Sequence, residues 1–244
     1  MELAIVTGDS KGLGYSVSQS FLNRGIEVMG LSRSGNFLEN NHYSHIQCDL
    51  GDTGNLEALV VEMAQKVVDK SPKRLYVVNN ASKVEPIERL GYLDNVQIQS
   101  AIHLNYVSPL IINNTFVREL KNSEVELVFV NVSSGAADTP IYGWNVYNST
   151  KAAMNMHTRV VGLEFEQLGK PYMSIAFNPG VMDTDMQATI RGSSEDAFSD
   201  VERFQEFKKN GVLRSPMVVA EGLVELLVGS ELENGRIYSV NEVL

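Results

Sequence analysis

The chain has 244 residues, 43% of them hydrophobic and 20% charged, proportions of an ordinary globular protein that exclude a disordered or collagen-like polymer. Twenty Lys and Arg against thirty Asp and Glu leave a net charge of −10, which repels phosphodiester backbones and anionic lipid, so neither a nucleic-acid nor a membrane partner is expected. Cys48 stands alone, which excludes an intrachain disulfide, and four histidines without ligand spacing predict no metal site.

Leu3-Ala4-Ile5-Val6 reads as a first buried strand, without the basic and then apolar stretch of a signal peptide, so a cytoplasmic location is expected. A helical pattern follows over about residues 13–24, then strands at Val28–Leu31 and, more weakly, Ile46–Cys48. A helix over about 53–70 leads into a strand at Leu75–Val78, and the stretch 94–121 reads as two helices. Leu127–Val130 is the next strand, 145–169 a long helix, Met173–Phe177 a strand, and Arg236–Val240 a final one. Near-continuous apolar strands are covered on both faces, as in a parallel sheet. Their alternation with helices predicts right-handed crossovers and a doubly wound α/β sheet in three layers, α/β/α. No repeat or linker divides the chain, so one domain over residues 1–244 is expected.

The first strand runs into Thr7-Gly8-Asp9-Ser10-Lys11-Gly12-Leu13-Gly14. Glycines there permit a tight turn and close approach of the backbone to a pyrophosphate, and the next helix aims its free N–H groups at it. An ordinary strand–helix turn could carry the same spacing. The end of the second strand, Leu31-Ser32-Arg33-Ser34, lacks the acid that binds a ribose 2′-hydroxyl. Arg33 can instead fork onto a 2′-phosphate with Lys11 adding a second charge, which points to NADP(H). Both cations would serve equally as solvated surface groups.

Tyr147 and Lys151 lie four residues apart, on one face of the long helix. An ammonium beside a phenol favours phenolate, so the spacing predicts a tyrosine of lowered pKa that exchanges a proton with a carbonyl or alcohol. Ser134, at the end of the strand Leu127–Val130, could hold the carbonyl or simply cap a turn. Asn105 precedes Pro109 by four; proline has no N–H, so the Asn105 carbonyl is free to hold a water, and a kink is expected either way.

Together these segments resemble the short-chain dehydrogenase/reductase family over almost the whole chain. Thr7-Gly8-x-x-x-Gly12-x-Gly14 resembles its cofactor turn, and Asn79-Asn80-Ala81-Ser82 its Asn-Asn-Ala-Gly segment with Ser82 in place of glycine. Asn105, Ser134, Tyr147 and Lys151 match its catalytic tetrad, with the usual spacing from serine to tyrosine. The resemblance implies a Rossmann-type fold and adenine contacts at Asp49 and Leu50. It further implies a nicotinamide segment at Pro179, Gly180, Met182 (through backbone) and Thr184, and a homodimer or homotetramer. Gly143-Trp144, with Pro179 to Gln187, is similar to sepiapterin reductases and bacterial benzil reductases, which reduce diketones. Pterin-binding members grip the pterin with an aspartate near the C-terminus; Ser239 stands at that place, which favours the benzil-reductase side.

In this family residues 185–212 cover the substrate, and here Met186, Ile190, Phe198, Phe204 and Phe207 recur at helical spacing. Trp144, Tyr142 and Met186 could wall an aromatic pocket, or Trp144 could fill the core. The expected activity is NADPH-dependent reduction of a small-molecule ketone or 1,2-diketone to a hydroxyketone. The alternatives are a sepiapterin-type pterin reductase, a 3-ketoacyl-carrier reductase (disfavoured by the acidic charge) and a non-catalytic NADPH-sensing protein.

Overall fold

Seven strands form one parallel sheet among the residues described, 1–35 and 38–244 of a computed structural model. They are β1 (Glu2–Thr7), β2 (Glu27–Ser32), β3 (Tyr43–Gln47), β4 (Arg74–Asn79), β5 (Glu126–Val132), β6 (Tyr172–Asn178) and β7 (Ile237–Ser239). Their spatial order is β3-β2-β1-β4-β5-β6-β7, with Thr7 opposite Leu31 and Asn79 opposite Asn131. The order reverses between β1 and β4. At such a switch point the loops leaving the carboxyl ends of the strands turn apart and open a crevice.

Each strand sends alternate side chains to opposite faces. Ala4, Val6, Tyr76, Val78, Val128 and Val130 pack under α1 (Gly12–Asn23) and α8 (Pro216–Gly229), against Val17, Phe21, Leu223 and Leu227. Leu3, Ile5, Leu75, Val77, Leu127 and Phe129 pack on the other face under α2 (Leu56–Lys70), α4 (Ser108–Glu119) and α5 (Asn145–Leu168). Burying such a side chain stabilises the fold by roughly 1.5–3 kcal/mol, so the two layers hold the sheet and fix where its loops emerge.

The region expected as two helices is α3 (Asn95–Ile102) and α4 joined by a π-helical turn, His103–Val107. The Ser108 N–H donates to the His103 carbonyl, five residues back. Pro109 has no N–H to offer Asn105, so the ladder widens by one residue, which leaves Pro109 in the first turn of α4 where a proline costs little. The weak third strand lies slightly earlier than expected and ends before Cys48. The last strand stops at Ser239, whose side chain accepts from the Asn241 N–H while the Glu242 carboxylate accepts from the Ser239 N–H at 2.8 Å, opening α9 (Val240–Val243). Among the described residues no helix is long and apolar enough to cross a membrane.

A third apolar cluster lies outside the sheet, beneath α6 (Asp185–Arg191) and α7 (Val201–Lys209). Trp144 stacks on Phe198 with ring centres 5.1 Å apart and meets Phe204 and Tyr147 edge-on. Gly143, at φ +82°, lets the Ala197 carbonyl approach where any Cβ would collide.

Candidate active site

A cleft of about 610 Å³ opens over the carboxyl ends of the strands. It is lined by Gly8, Ser10, Lys11, Gly12 and Leu13 of the first turn, by Arg33, Asp49 and Leu50, and by Asn80, Ala81 and Ser82. Ser134, Tyr147, Lys151, Pro179, Met182, Thr184 and Met186 complete the expected set that faces it, whereas Gly14, Asn105, Gly180 and Trp144 stand behind the wall. Ser32, Ser34, Asp183, Asp185 and Ser215-Pro216-Met217 also line it and carried no sequence signal beyond their neighbours.

Two short side chains hold the first turn by its backbone. Thr7 Oγ1 donates to the Val78 carbonyl and accepts from the N–H groups of Asn80 and Ala81 at 2.9 and 3.0 Å. Asn80 Nδ2 donates to the carbonyls of Thr7 and Gly8. A Cβ on Gly14 would overlap the Gly8 carbonyl oxygen and the Asn80 amide. The N-cap of α1 is Lys11, which provides no side-chain cap, so the first N–H groups of the helix are left for an anion. A glycine-lined cradle facing an uncapped helix start fits a pyrophosphate.

The two cations expected on a 2′-phosphate are not gathered in the free protein. Arg33 is exposed, and its carbonyl accepts from Gln47 Nε2. Lys11 Nζ lies 2.7 Å from the Asp185 carboxylate across the cleft. Beneath Ser32 sits Asp9, a fully buried carboxylate. It accepts from Ser32 Oγ at 2.8 Å and from the Tyr43 hydroxyl, with His45 Nε2 at 3.8 Å. Gly30 alongside leaves room for it. An acid inside a turn of small residues was the available signal.

Ser134, Tyr147 and Lys151 converge at the inner end of the cleft. Tyr147 is 7% and Lys151 3% exposed. The Ser134 hydroxyl hydrogen-bonds the phenol and accepts from the Ala136 N–H. Lys151 Nζ lies 5.6 Å from the centre of the Tyr147 ring and donates to the Val132 carbonyl at 2.8 Å. Burial pushes the phenol up to about 12, opposed by its hydrogen bond to Ser134. Burial likewise pushes Lys151 down to about 8. The expected lowering of the tyrosine pKa by the neighbouring ammonium is therefore corrected for the free protein. Loss of hydration penalises phenolate more than the Ser134 hydroxyl favours it, so the phenol holds its proton.

Asn105 lies in the π-helical turn, 3% exposed. Its Oδ1 accepts from the Lys83 N–H at 2.9 Å, and its Nδ2 donates to the Lys83 carbonyl at 2.8 Å. The side chain thus clamps the loop after β4, and Nδ2 also lies 3.4 Å from Thr150 Oγ1 on α5. The expected aromatic wall is only partly assembled. Trp144 is interior, and Tyr142 is 48% exposed on the surface beside Arg89. Of the three, Met186 lines the cleft while also packing on the aromatic cluster. Ser239 is committed to its helix cap. Among the described residues there is no cluster able to hold a metal ion.

The family model for short chain dehydrogenases matches residues 2–195. Benzil reductase ((S)-benzoin forming) from Bacillus subtilis strain 168 is 37% identical over 244 residues, covering 100% of both chains. The enzyme of the same name from Bacillus cereus is 32% identical over 249 residues, covering 99% of this chain and 100% of its own. The crystal structure of the KRED1-Pglu enzyme superimposes with a TM-score of 0.82 at 27% identity, covering 97% of this chain and 100% of its own.

Proposed function

The chain belongs to the short-chain dehydrogenase family of oxidoreductases, and from that premise we propose that it is an NADPH-dependent reductase of ketones and 1,2-diketones of the benzil type. The observation that carries the reading is the buried Tyr147–Lys151 pair, with the half-buried Ser134 beside it, at the inner end of a cleft whose outer end fits a dinucleotide. Full-length likeness to two benzil reductases supports the substrate class.

The turn from Gly8 to Gly14 and the start of α1 would hold the pyrophosphate, Arg33 the 2′-phosphate, and Asp49 and Leu50 the adenine. Ser82, the Met182 backbone and Thr184 would meet the nicotinamide end. When bound, NADPH supplies the hydride for the carbonyl carbon. Ser134 Oγ orients the carbonyl oxygen, and Tyr147 gives that oxygen its proton as negative charge builds there. A phenol pushed up by burial keeps its proton at neutral pH, available for the carbonyl oxygen. Lys151, lowered to about 8, passes a proton on more readily than an ordinary lysine and can restore the phenol. Asn105 positions the group from behind, and its carbonyl, released by Pro109, can hold a relay water. Ser239, turned to its cap, offers little to a pterin. Exposed Met156, Val160 and Leu163 along α5 give a homodimer or homotetramer an apolar face to bury.

NADPH oxidation should be followed against aromatic diketones, pterins and 3-ketoacyl thioesters, with chiral analysis of the products. The diketones should turn over fastest. Tyr147→Phe should lose about 10²–10⁴-fold in kcat while keeping its affinity for NADPH. Wild-type reduction by that variant would overturn the assignment of the proton donor.

A further inference from the structure

Lys11 and Asp185 are 174 residues apart in the chain and meet across the cleft, Nζ to Oδ2 at 2.7 Å. Each stands at the start of a helix. Lys11 is the N-cap of α1, and Asp185 is the first residue of α6, directly after its N-cap Thr184. The pair therefore ties the cofactor turn to the first helix of the substrate cover. It holds the Asp185 carboxyl below its usual range. Both side chains are open to solvent, 71% and 76% exposed, so the link is weak and readily exchanged. Apart from buried Lys151, Lys11 and Arg33 are the cations lining the cleft among the described residues.

We infer that Asp185 is a specificity-determining residue for the cofactor, because it competes with the 2′-phosphate for Lys11. This rests on the proposed use of NADP(H). A phosphate monoester carries about 1.5 to 2 negative charges at neutral pH against one for a carboxylate, and it offers three acceptor oxygens. Lys11, on a flexible exposed stem, passes from Asp185 to the phosphate when NADPH enters. NADH has no such group, so Lys11 stays where it is and α6 remains tied. Asp185 thus weakens NADPH relative to NADH, and loading of NADPH frees the cover at the start of α6.

The test is equilibrium binding of NADPH and NADH, read by cofactor fluorescence, to four folded proteins: wild type, Asp185→Asn, Lys11→Gln and the double variant. Asp185→Asn should tighten NADPH about three- to fivefold relative to NADH, the size of an exposed ion pair. Lys11→Gln should weaken NADPH more than NADH, and adding Asp185→Asn to it should leave the ratio where it was. An equal loosening of both cofactors by Asp185→Asn would overturn the inference in favour of a strap that retains either one. So would a shift of the ratio that persists without Lys11. Wild-type protein that binds NADH as tightly as NADPH would instead remove the cofactor reading, a separate result visible before any variant is made.

Discussion

The turn after β1 and the cover formed by α6 and α7 face each other across the cleft, and unlike forces hold them. The turn is held by hydrogen bonds to main chain, with the Thr7 and Asn80 side chains spending their polar atoms on backbone partners and glycines admitting the close contact. The cover rests on side chains: Trp144 between Phe198, Phe204 and Tyr147. Exposed ion pairs such as Lys208–Asp183 add little to it. A backbone cradle recognises one invariant ligand and has no slack for an added atom. An aromatic cluster accepts changes of volume with a graded loss, which suits the side of the cleft that meets a variable carbonyl compound.

The sharpest way to break that contrast is Gly14→Ala. The new methyl would meet the Gly8 carbonyl and the Asn80 amide, and neither can retreat without opening the turn. Dinucleotide affinity should fall by about a hundredfold, the upper range of overpacking costs. Titration of the variant with NADPH reads this directly. Affinity within a factor of two of wild type would show that the cradle has slack and that the contrast is false.

Trp144→Ala tests the other side. Removing a buried Trp costs about 3–5 kcal/mol, here localised to the cluster beside Tyr147. We expect a lower Tm and a steep fall in kcat/KM for diketones, with NADPH affinity within about threefold, since the turn shares no packing with the indole. Parallel loss of cofactor binding would mean that the two walls fold as one unit.

The same contrast separates what could be read in the chain from what could not. Near-continuous apolar runs, weaker at the two edge strands, place all seven strands within a few residues, because a short apolar run is a local property. The glycine turn and the Tyr147–Lys151 pair were legible for the same reason: each is a short spacing with a direct geometric meaning. The partner of Lys11 was not, since Asp185 comes near it only once the chain has wound the whole sheet. Nor was the direction in which Tyr147 is shifted. Four residues of spacing specify proximity to an ammonium, but the burial that pushes the phenol up comes from the cluster of Trp144 with Ile190 and Phe198 of the cover. Pro109 announced a break in the helix without saying that the ladder would widen into a π-helical turn. Asp9 shows in the chain only as an acid inside a turn of small residues, and its partners Ser32 and Tyr43 come from other strands.

The smallest expected effect comes from Ser239, which the resemblance to pterin-binding enzymes placed near the substrate. Here its hydroxyl accepts from the Asn241 N–H, and its own N–H is held by Glu242, which also pairs with Arg236 at 2.8 Å. A residue so engaged stabilises α9 rather than gripping a ligand. Ser239→Ala should lower stability by about 1 kcal/mol, the usual worth of a helix cap, seen as a modest drop in Tm. Its kcat and KM for diketones and pterins should match wild type. A selective rise in KM for pterins would put the C-terminal turn back in the site, and the cover would no longer be the whole of the substrate-facing wall.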